Sequence, residues 1–184
     1  MLSSSLSHKD ESLLIHKKPA LFLDRDGVIN IEKNYLHKKE DFEFIEGIFD
    51  LCQYYKAKGY YIVVVTNQSG IARGYYSETD FANLSFWMIN SFDERGITID
   101  QVYHCPHHPD ISGDCECRKP KAGMLLKAAK DLNIDLENSV LVGDSERDIE
   151  AGYKAGLKET YLFTSEAKQT KATKNIQDLQ ELIC

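Results

Sequence analysis

The sequence predicts an α/β fold: a three-layer, Rossmann-like, mostly parallel sheet with helices on both faces. Two observations predict it. Short apolar runs of strand length alternate with stretches of helical periodicity, and parallel strands need crossover helices between them. The polar residues of interest, Asp24, Thr66 and Asp144, each follow an apolar run closely, and open α/β sheets bind ligands at the carboxyl ends of their strands.

The elements follow in order. Ala20–Leu23 is a short apolar run ending at Asp24, which reads as a buried strand. Ile48, Leu51, Cys52 and Tyr55 recur at helical spacing, with Gly59 as a stop. Residues 60–65 are β-branched or aromatic and form a second strand. Ser77 and Asp80 have capping-box spacing and start a helix running to about Arg95. Within it Phe81, Leu84, Trp87 and Met88 are read as core. Val102-Tyr103 is a weak third strand. Residues 105–121 form a loop of unusual composition, and 124–132 a helix. Residues 139–142 make a strand ending at Gly143-Asp144, followed by a short helix to Gly156. Glu159–Phe163 is a last strand, and residues 175–183 are expected to be helical.

With 184 residues, 42% hydrophobic and 28% charged, the chain fits one globular domain over 19–184, preceded by a loose arm over 1–18. The arm's apolar cluster, Leu13-Leu14-Ile15, is too short for a signal-peptide core. Apolar runs such as 62–65 are strand-sized, so no membrane span is expected. A net charge of −7 disfavours nucleic acid as a partner. It leaves room for a small anionic substrate, because a metal ion and a few cations can invert the sign within one cleft. No long apolar interface segment stands out, so a cytoplasmic monomer is expected. The cysteines are Cys52, Cys105, Cys115, Cys117 and Cys184. An odd count with three crowded together points to metal binding in a reducing compartment rather than disulfides. Cys52 is read as a buried thiol and Cys184 as a tail residue.

Asp24-Arg25-Asp26-Gly27 directly follows a strand. Two carboxylates at such an end can divide the work. One attacks phosphorus or binds a metal, and the other moves a proton. Alone the pattern is short and would usually be a polar turn. Thr66-Asn67 adds a hydroxyl and an amide for phosphate oxygens. Arg118-Lys119-Pro120-Lys121 adds cations before a helix. Asp144, with Asp148 beyond it, adds oxygen ligands of the kind Mg²⁺ prefers. Singly these read as caps or solvated charges; together they read as a phosphoryl-transfer site.

LFLDRDGVIN, VVTNQSG, the Lys of CRKPK and LVGDSERD resemble the haloacid dehalogenase superfamily of phosphatases, over residues 20 to about 164. The resemblance implies that fold, with a zinc-stapled loop and no large cap domain. It implies that Asp24 is the nucleophile and forms an aspartyl-phosphate, that Asp26 is the proton donor and later the base, and that Thr66 and Lys119 hold the phosphoryl group. It further implies Mg²⁺ on the Asp24 and Asp144 carboxylates and the Asp26 carbonyl.

Cys105-Pro106-His107 and Cys115-Glu116-Cys117 flank a Gly/Asp-containing turn in the 105–117 loop. Three thiolates and an imidazole suit a closed, structural Zn²⁺ site. His104 and His108 compete with His107 for the imidazole position, and a loop of unliganded thiols is the bland alternative.

CPHHP, CECRKPK and TNQSGIARGYY are similar to the heptose-1,7-bisphosphate 7-phosphatase branch of bacterial heptose biosynthesis. By that resemblance Arg25, Glu32, Lys33, Asn34, Tyr35, Asn67, Gln68, Ser69 and Arg118 line the substrate pocket. Arg118 faces the second phosphate with its bidentate fork. Arg73 reads as a solvated loop residue and Tyr75-Tyr76 as packing against the next helix. The sequence departs from some relatives in a short His107-to-Cys115 stretch and in Ser145, where those relatives carry Lys. Histidinol-phosphate phosphatase is the alternative enzyme reading. A non-catalytic, zinc-containing interaction module is the alternative of another class.

Overall fold

The computed structural model describes residues 17–166 and 169–183. Its strands are β1 (Ala20–Leu23), β2 (Tyr61–Asn67), β3 (Gln101–Cys105), β4 (Val140–Gly143), β5 (Glu159–Phe163) and β6 (Lys174–Ile176). Its helices are α1 (Ile48–Ala57), α2 (Glu78–Asp93), a single turn α3 (Pro109–Ser112), α4 (Gly123–Leu132) and α5 (Glu146–Ala155). The strands form one sheet in the order β3-β2-β1-β4-β5-β6, parallel throughout.

Side-chain alternation along the central strands makes the three layers. Leu21, Leu23, Ile62, Val64, Val140 and Val142 face one way and pack with Ile48, Leu51, Leu84, Met88 and Phe92 of α1 and α2. Ala20, Phe22, Val63, Val65 and Leu141 face the other way and pack with Met124, Leu125, Ala128, Ile149 and Ala151 of α4 and α5. Both faces are covered, which is why these strands are apolar at every position. Each large aliphatic or aromatic side chain so buried contributes about 1.5–3 kcal/mol. Phe81, Leu84 and Met88 are buried as expected, and Trp87 packs partly buried against the same cluster.

Helix α2 starts where its sequence says it should. The Ser77 hydroxyl accepts from the Asp80 N–H at 3.1 Å, and the Asp80 carboxylate accepts from the Ser77 N–H at 2.8 Å. Two expectations are corrected. Residues 175–183 are not one helix: β6 extends the sheet edge, and a 3-10 turn spans Leu179–Leu182. Burial of Ile176, Leu179 and Leu182 looks helical in sequence but is met by packing of a strand end and a tight turn on the core. The 105–121 loop also contains α3. Cys52 is buried. Residues 1–16 of the expected arm, and Cys184, lie outside the described residues.

Candidate active site

Three strand ends meet at the middle of the sheet. Asp24 follows β1, Thr66 and Asn67 close β2, and Asp144 follows β4. Pairing of β1 with both β2 and β4 makes these ends neighbours. The Asp24 N–H continues the ladder by donating to the Val142 carbonyl at 3.1 Å. The chain then turns sharply at Gly27, whose φ is +85°. A Cβ there would sit 2.3 Å from an Asp144 carboxylate oxygen. Only glycine therefore lets the turn after β1 press against the end of β4.

Lys119 comes to this point from the loop before α4 and is 1% exposed. Its ammonium lies 3.1 Å from Asp24 Oδ2, 2.6 Å from Asp148 Oδ1 and 2.7 Å from the Val65 carbonyl. Asn67 fixes its backbone: the amide donates to the Lys119 carbonyl and accepts from the Lys119 N–H, both at 3.1 Å. Asp148 is itself oriented by the N–H and hydroxyl of Ser145, at 3.0 and 2.7 Å.

The charges are unbalanced. Burial raises the Asp24 carboxyl well above its ordinary range, and Asp148, Asp144 and Asp26 add to this against the pull of Lys119. Burial, then Asp148, pushes Asp144 up to about 6. Burial opposes ionisation of Asp148, yet the Lys119 ion pair and the Ser145 bonds hold it below the usual range. Burial likewise opposes the Lys119 charge, which Asp148 and Asp24 more than restore. One buried cation thus serves a cluster of carboxylates. Asp24, Asp144 and Asp148 have oxygens within 4.8 Å of one another. That donor set fits a hard divalent cation, whose charge relieves the crowding.

The cleft above these groups is lined by Asp24, Asp26, Glu32, Thr66, Asn67, Lys119, Asp144, Ser145, Arg147 and Asp148. Its volume is about 100 Å³, well below the roughly 300–1,000 Å³ of pockets that enclose a drug-sized ligand. It has room for a phosphoryl group and an ion; the rest of a substrate must lie on the rim. Arg147 was not singled out from the sequence. It is the second residue of α5 and brings a cation to a cleft where Ser145 has none.

Asp26 is held by residues of two segments, those after β1 and β2. Arg25 donates to its Oδ1 from Nε at 3.2 Å and from Nη2 at 2.9 Å, and Nη2 also reaches Oδ2 at 2.9 Å. Asn30 donates to Oδ1 at 3.1 Å, and Gln68 to Oδ2 at 2.9 Å. Arg25 and Gln68 were expected on the substrate. They are 1% and 2% exposed; Arg25 Nε and Nη2 and the Gln68 amide are engaged with Asp26 and its surroundings, while Arg25 Nη1 is buried without a hydrogen-bond partner. Asn67, also expected on the substrate, lines the cleft while clamping Lys119. Glu32 lines the cleft as well and accepts from the Asn34 N–H at 2.7 Å. Lys33 pairs with Glu43 at 2.6 Å. Ser69 is half-buried in the loop after β2. Tyr35 is exposed and meets Tyr75 edge-on at 4.7 Å. Tyr75, expected to pack on the next helix, is exposed, whereas Tyr76 is buried.

A second cluster lies in the 105–117 loop. The thiols of Cys105, Cys115 and Cys117 and Nδ1 of His107 lie within 4.8 Å of one another. Their Sγ separations run from 2.9 to 3.6 Å, and His107 Nδ1 is 3.2 Å from the Cys117 thiol. Zn–S bonds of about 2.3 Å imply tetrahedral edges of about 3.8 Å, slightly wider than these. The donors fit a closed zinc site. The competing histidines are engaged elsewhere: His104 pairs with Glu78 at 2.8 Å, and His108 contacts Arg73 at 2.7 Å. Arg118 donates to the His107 carbonyl at 3.2 Å, so the cluster's loop aims this cation.

Comparison with known proteins agrees with this geometry. A HAD-hydrolase-like family model matches residues 116–182. The chain is 50% identical over 167 residues to D-glycero-alpha-D-manno-heptose-1,7-bisphosphate 7-phosphatase of Campylobacter jejuni, covering 91% of this chain and 95% of that one. It is 47% identical over 178 residues to the corresponding beta-anomer 7-phosphatase of Pasteurella multocida, covering 90% and 97%. Among solved structures, a HAD-like protein from Mesorhizobium loti is similar with a TM-score of 0.83 at 36% identity, covering 91% and 85% of the two chains. The D,D-heptose 1,7-bisphosphate phosphatase of B. bronchiseptica, complexed with magnesium and phosphate, has a TM-score of 0.77 at 29% identity, covering 88% and 93%. Fold and site together define a phosphoric monoester hydrolase of the haloacid dehalogenase type. Within that class the chain belongs to the D-glycero-D-manno-heptose-1,7-bisphosphate 7-phosphatase family.

Proposed function

We propose that this chain is a Mg²⁺-dependent enzyme that removes the 7-phosphate of D-glycero-D-manno-heptose 1,7-bisphosphate through an aspartyl-phosphate. It serves the synthesis of heptose precursors for lipopolysaccharide or another surface glycan, and works as a cytoplasmic monomer. The observation that carries the reading is the Asp24–Lys119–Asp148 arrangement at the crossing of three strand ends, with Asp26 on the same cleft.

The chemistry follows from the residues. An Asp24 carboxylate oxygen attacks phosphorus as the bond to the sugar oxygen breaks, and Asp26 gives its proton to that oxygen. Asp26, now a carboxylate, takes a proton from water, whose oxygen attacks the acyl phosphate. Inorganic phosphate leaves, and Asp24 is restored. The Thr66 hydroxyl and Lys119 ammonium hold the phosphoryl oxygens, and Arg118 holds the phosphate that does not react. Asp24, Asp144 and the Asp26 carbonyl would hold Mg²⁺, which supplies charge neutralisation at the phosphoryl oxygens. Cys105, His107, Cys115 and Cys117 would hold a structural Zn²⁺. Glu32 to Tyr35 and Ser69 lie on the loops after β1 and β2, where the sugar must rest if the cleft takes only the phosphoryl group.

Purified protein with Mg²⁺, assayed on heptose 1,7-bisphosphate and on histidinol phosphate, tests this. The reading predicts faster turnover of the heptose ester. Faster turnover of histidinol phosphate would overturn it.

A further inference from the structure

Gln68 is 2% exposed and lines no part of the cleft, yet its amide touches two groups that work there. Its Nε2 donates to Asp26 Oδ2 at 2.9 Å and to Thr66 Oγ1 at 2.8 Å. Its Oε1 accepts from the Tyr76 hydroxyl at 2.5 Å. While Asp26 is ionised, as it is once its proton has gone to the alcohol, reversing the amide would set its carbonyl oxygen against the carboxylate, so that state permits one orientation. Burial pushes the Tyr76 hydroxyl up to about 12, which keeps it a donor at neutral pH.

Tyr76 is fixed in turn. One neighbour is the backbone at Gly70, where a Cβ would lie 2.2 Å from Tyr76 Cε1. Another is the His37 ring, stacked at 5.3 Å with an interplanar angle of 12°. Arg25 donates to both Asp26 carboxylate oxygens and Asn30 to Oδ1, both from the segment after β1. Gln68 reaches Oδ2 from the loop after β2. Without it the carboxylate is held from the β1 segment alone.

We infer that Gln68, anchored by Tyr76 and Gly70, is a positioning residue that aims Asp26 at the leaving oxygen; this rests on the phosphatase reading above. Protonation matters for an alkyl alcohol, which is a poor leaving group, and little for a nitrophenolate, which departs unprotonated. Loss of the aim should therefore slow phosphoryl transfer to Asp24 from one ester and not the other, whereas the later attack of water, with Asp26 as base, slows alike for both.

The test compares wild type, Tyr76→Phe, Gly70→Ala and Asp26→Asn on heptose 1,7-bisphosphate and p-nitrophenyl phosphate with Mg²⁺, with enzyme in excess so that one turnover is followed and release of the alcohol or the phenol reads transfer to Asp24. Tyr76→Phe removes one hydroxyl and keeps the ring. Gly70→Ala displaces the ring. Both should slow that release from the sugar ester about 10–100-fold, the scale of a small misplacement of a catalytic group. Nitrophenol should be released at close to the wild-type rate, and Asp26→Asn should show the same split more strongly. Equal losses in this step on both esters, or no loss on either, would overturn the inference. So would an Asp26→Asn variant without the split in this step, because Asp26 would then not be the acid. A wild type that ignores heptose bisphosphate but cleaves another alkyl phosphate would overturn the substrate reading instead. The split measured on that ester would still decide the role of Gln68.

Discussion

Asp24, Lys119 and Asp148 form a buried electrostatic unit, and each constrains the others. Asp24→Asn is nearly isosteric but a poor nucleophile, so it should abolish turnover and leave the far-ultraviolet spectrum unchanged. Substantial residual activity would remove Asp24 from its role. Asp26→Asn should slow turnover of the sugar ester by about 10²–10⁴-fold, the usual worth of a general acid. Asp148→Asn leaves Lys119 with Asp24 and the Val65 carbonyl but takes away its closest partner. Breaking a buried pair from one side costs about 3–5 kcal/mol, and denaturant melts should show a loss near the lower figure. An unchanged midpoint would mean that Asp24 alone suffices. At this scale much of the site was legible. Asp24, Thr66 and Asp144 announce themselves by following apolar runs. The roles of Arg25, Gln68 and Asn67 were not legible, because a motif shows that a residue is near the site but not which way its side chain turns. The fold turns the first two to hydrogen-bond Asp26 and the third to hydrogen-bond the Lys119 backbone.

The 105–117 loop has little apolar core of its own, yet it leads directly into Arg118 and Lys119. Stripping zinc should disorder it and lower phosphatase activity even with Mg²⁺ restored. Retention of full Mg²⁺-supported turnover after zinc loss, verified by metal analysis, would contradict this. At the sheet edge, Lys174 and Glu181 pair at 2.6 Å and tie β6 to the turn after it. The Lys174 hydrogen bond, then the Gln177 N–H, draws the Glu181 carboxyl from 4.5 down to about 2. Because the folded value is the lower one, the pair's contribution is full above the ordinary value and disappears as pH falls through about 2. An NMR titration should place Glu181 there; a midpoint near the ordinary value would show the pair to be loose. Elements with strong periodicity were legible, α2 with its Ser77–Asp80 cap best of all. β6 and α3 were not. A strand of three residues and a helix of four are too short to show a period, and tertiary packing decides them.

Across the whole molecule, the alternation of strands and helices implied a parallel sheet, and the sheet is parallel throughout. The strand order could not be read from periodicity, although it is what brings the ends of β1, β2 and β4 together. No helix among the described residues is long and apolar enough to cross a membrane. In the proposed reaction the two phosphates of one substrate go to different parts of this architecture, the 7-phosphate to the small cleft of Asp24 and the 1-phosphate to Arg118. Phosphorus NMR of the reaction with heptose 1,7-bisphosphate reads this division directly. The 7-phosphate resonance should be replaced by inorganic phosphate while the 1-phosphate resonance persists. Loss of the 1-phosphate first, or of both at equal rates, would contradict it.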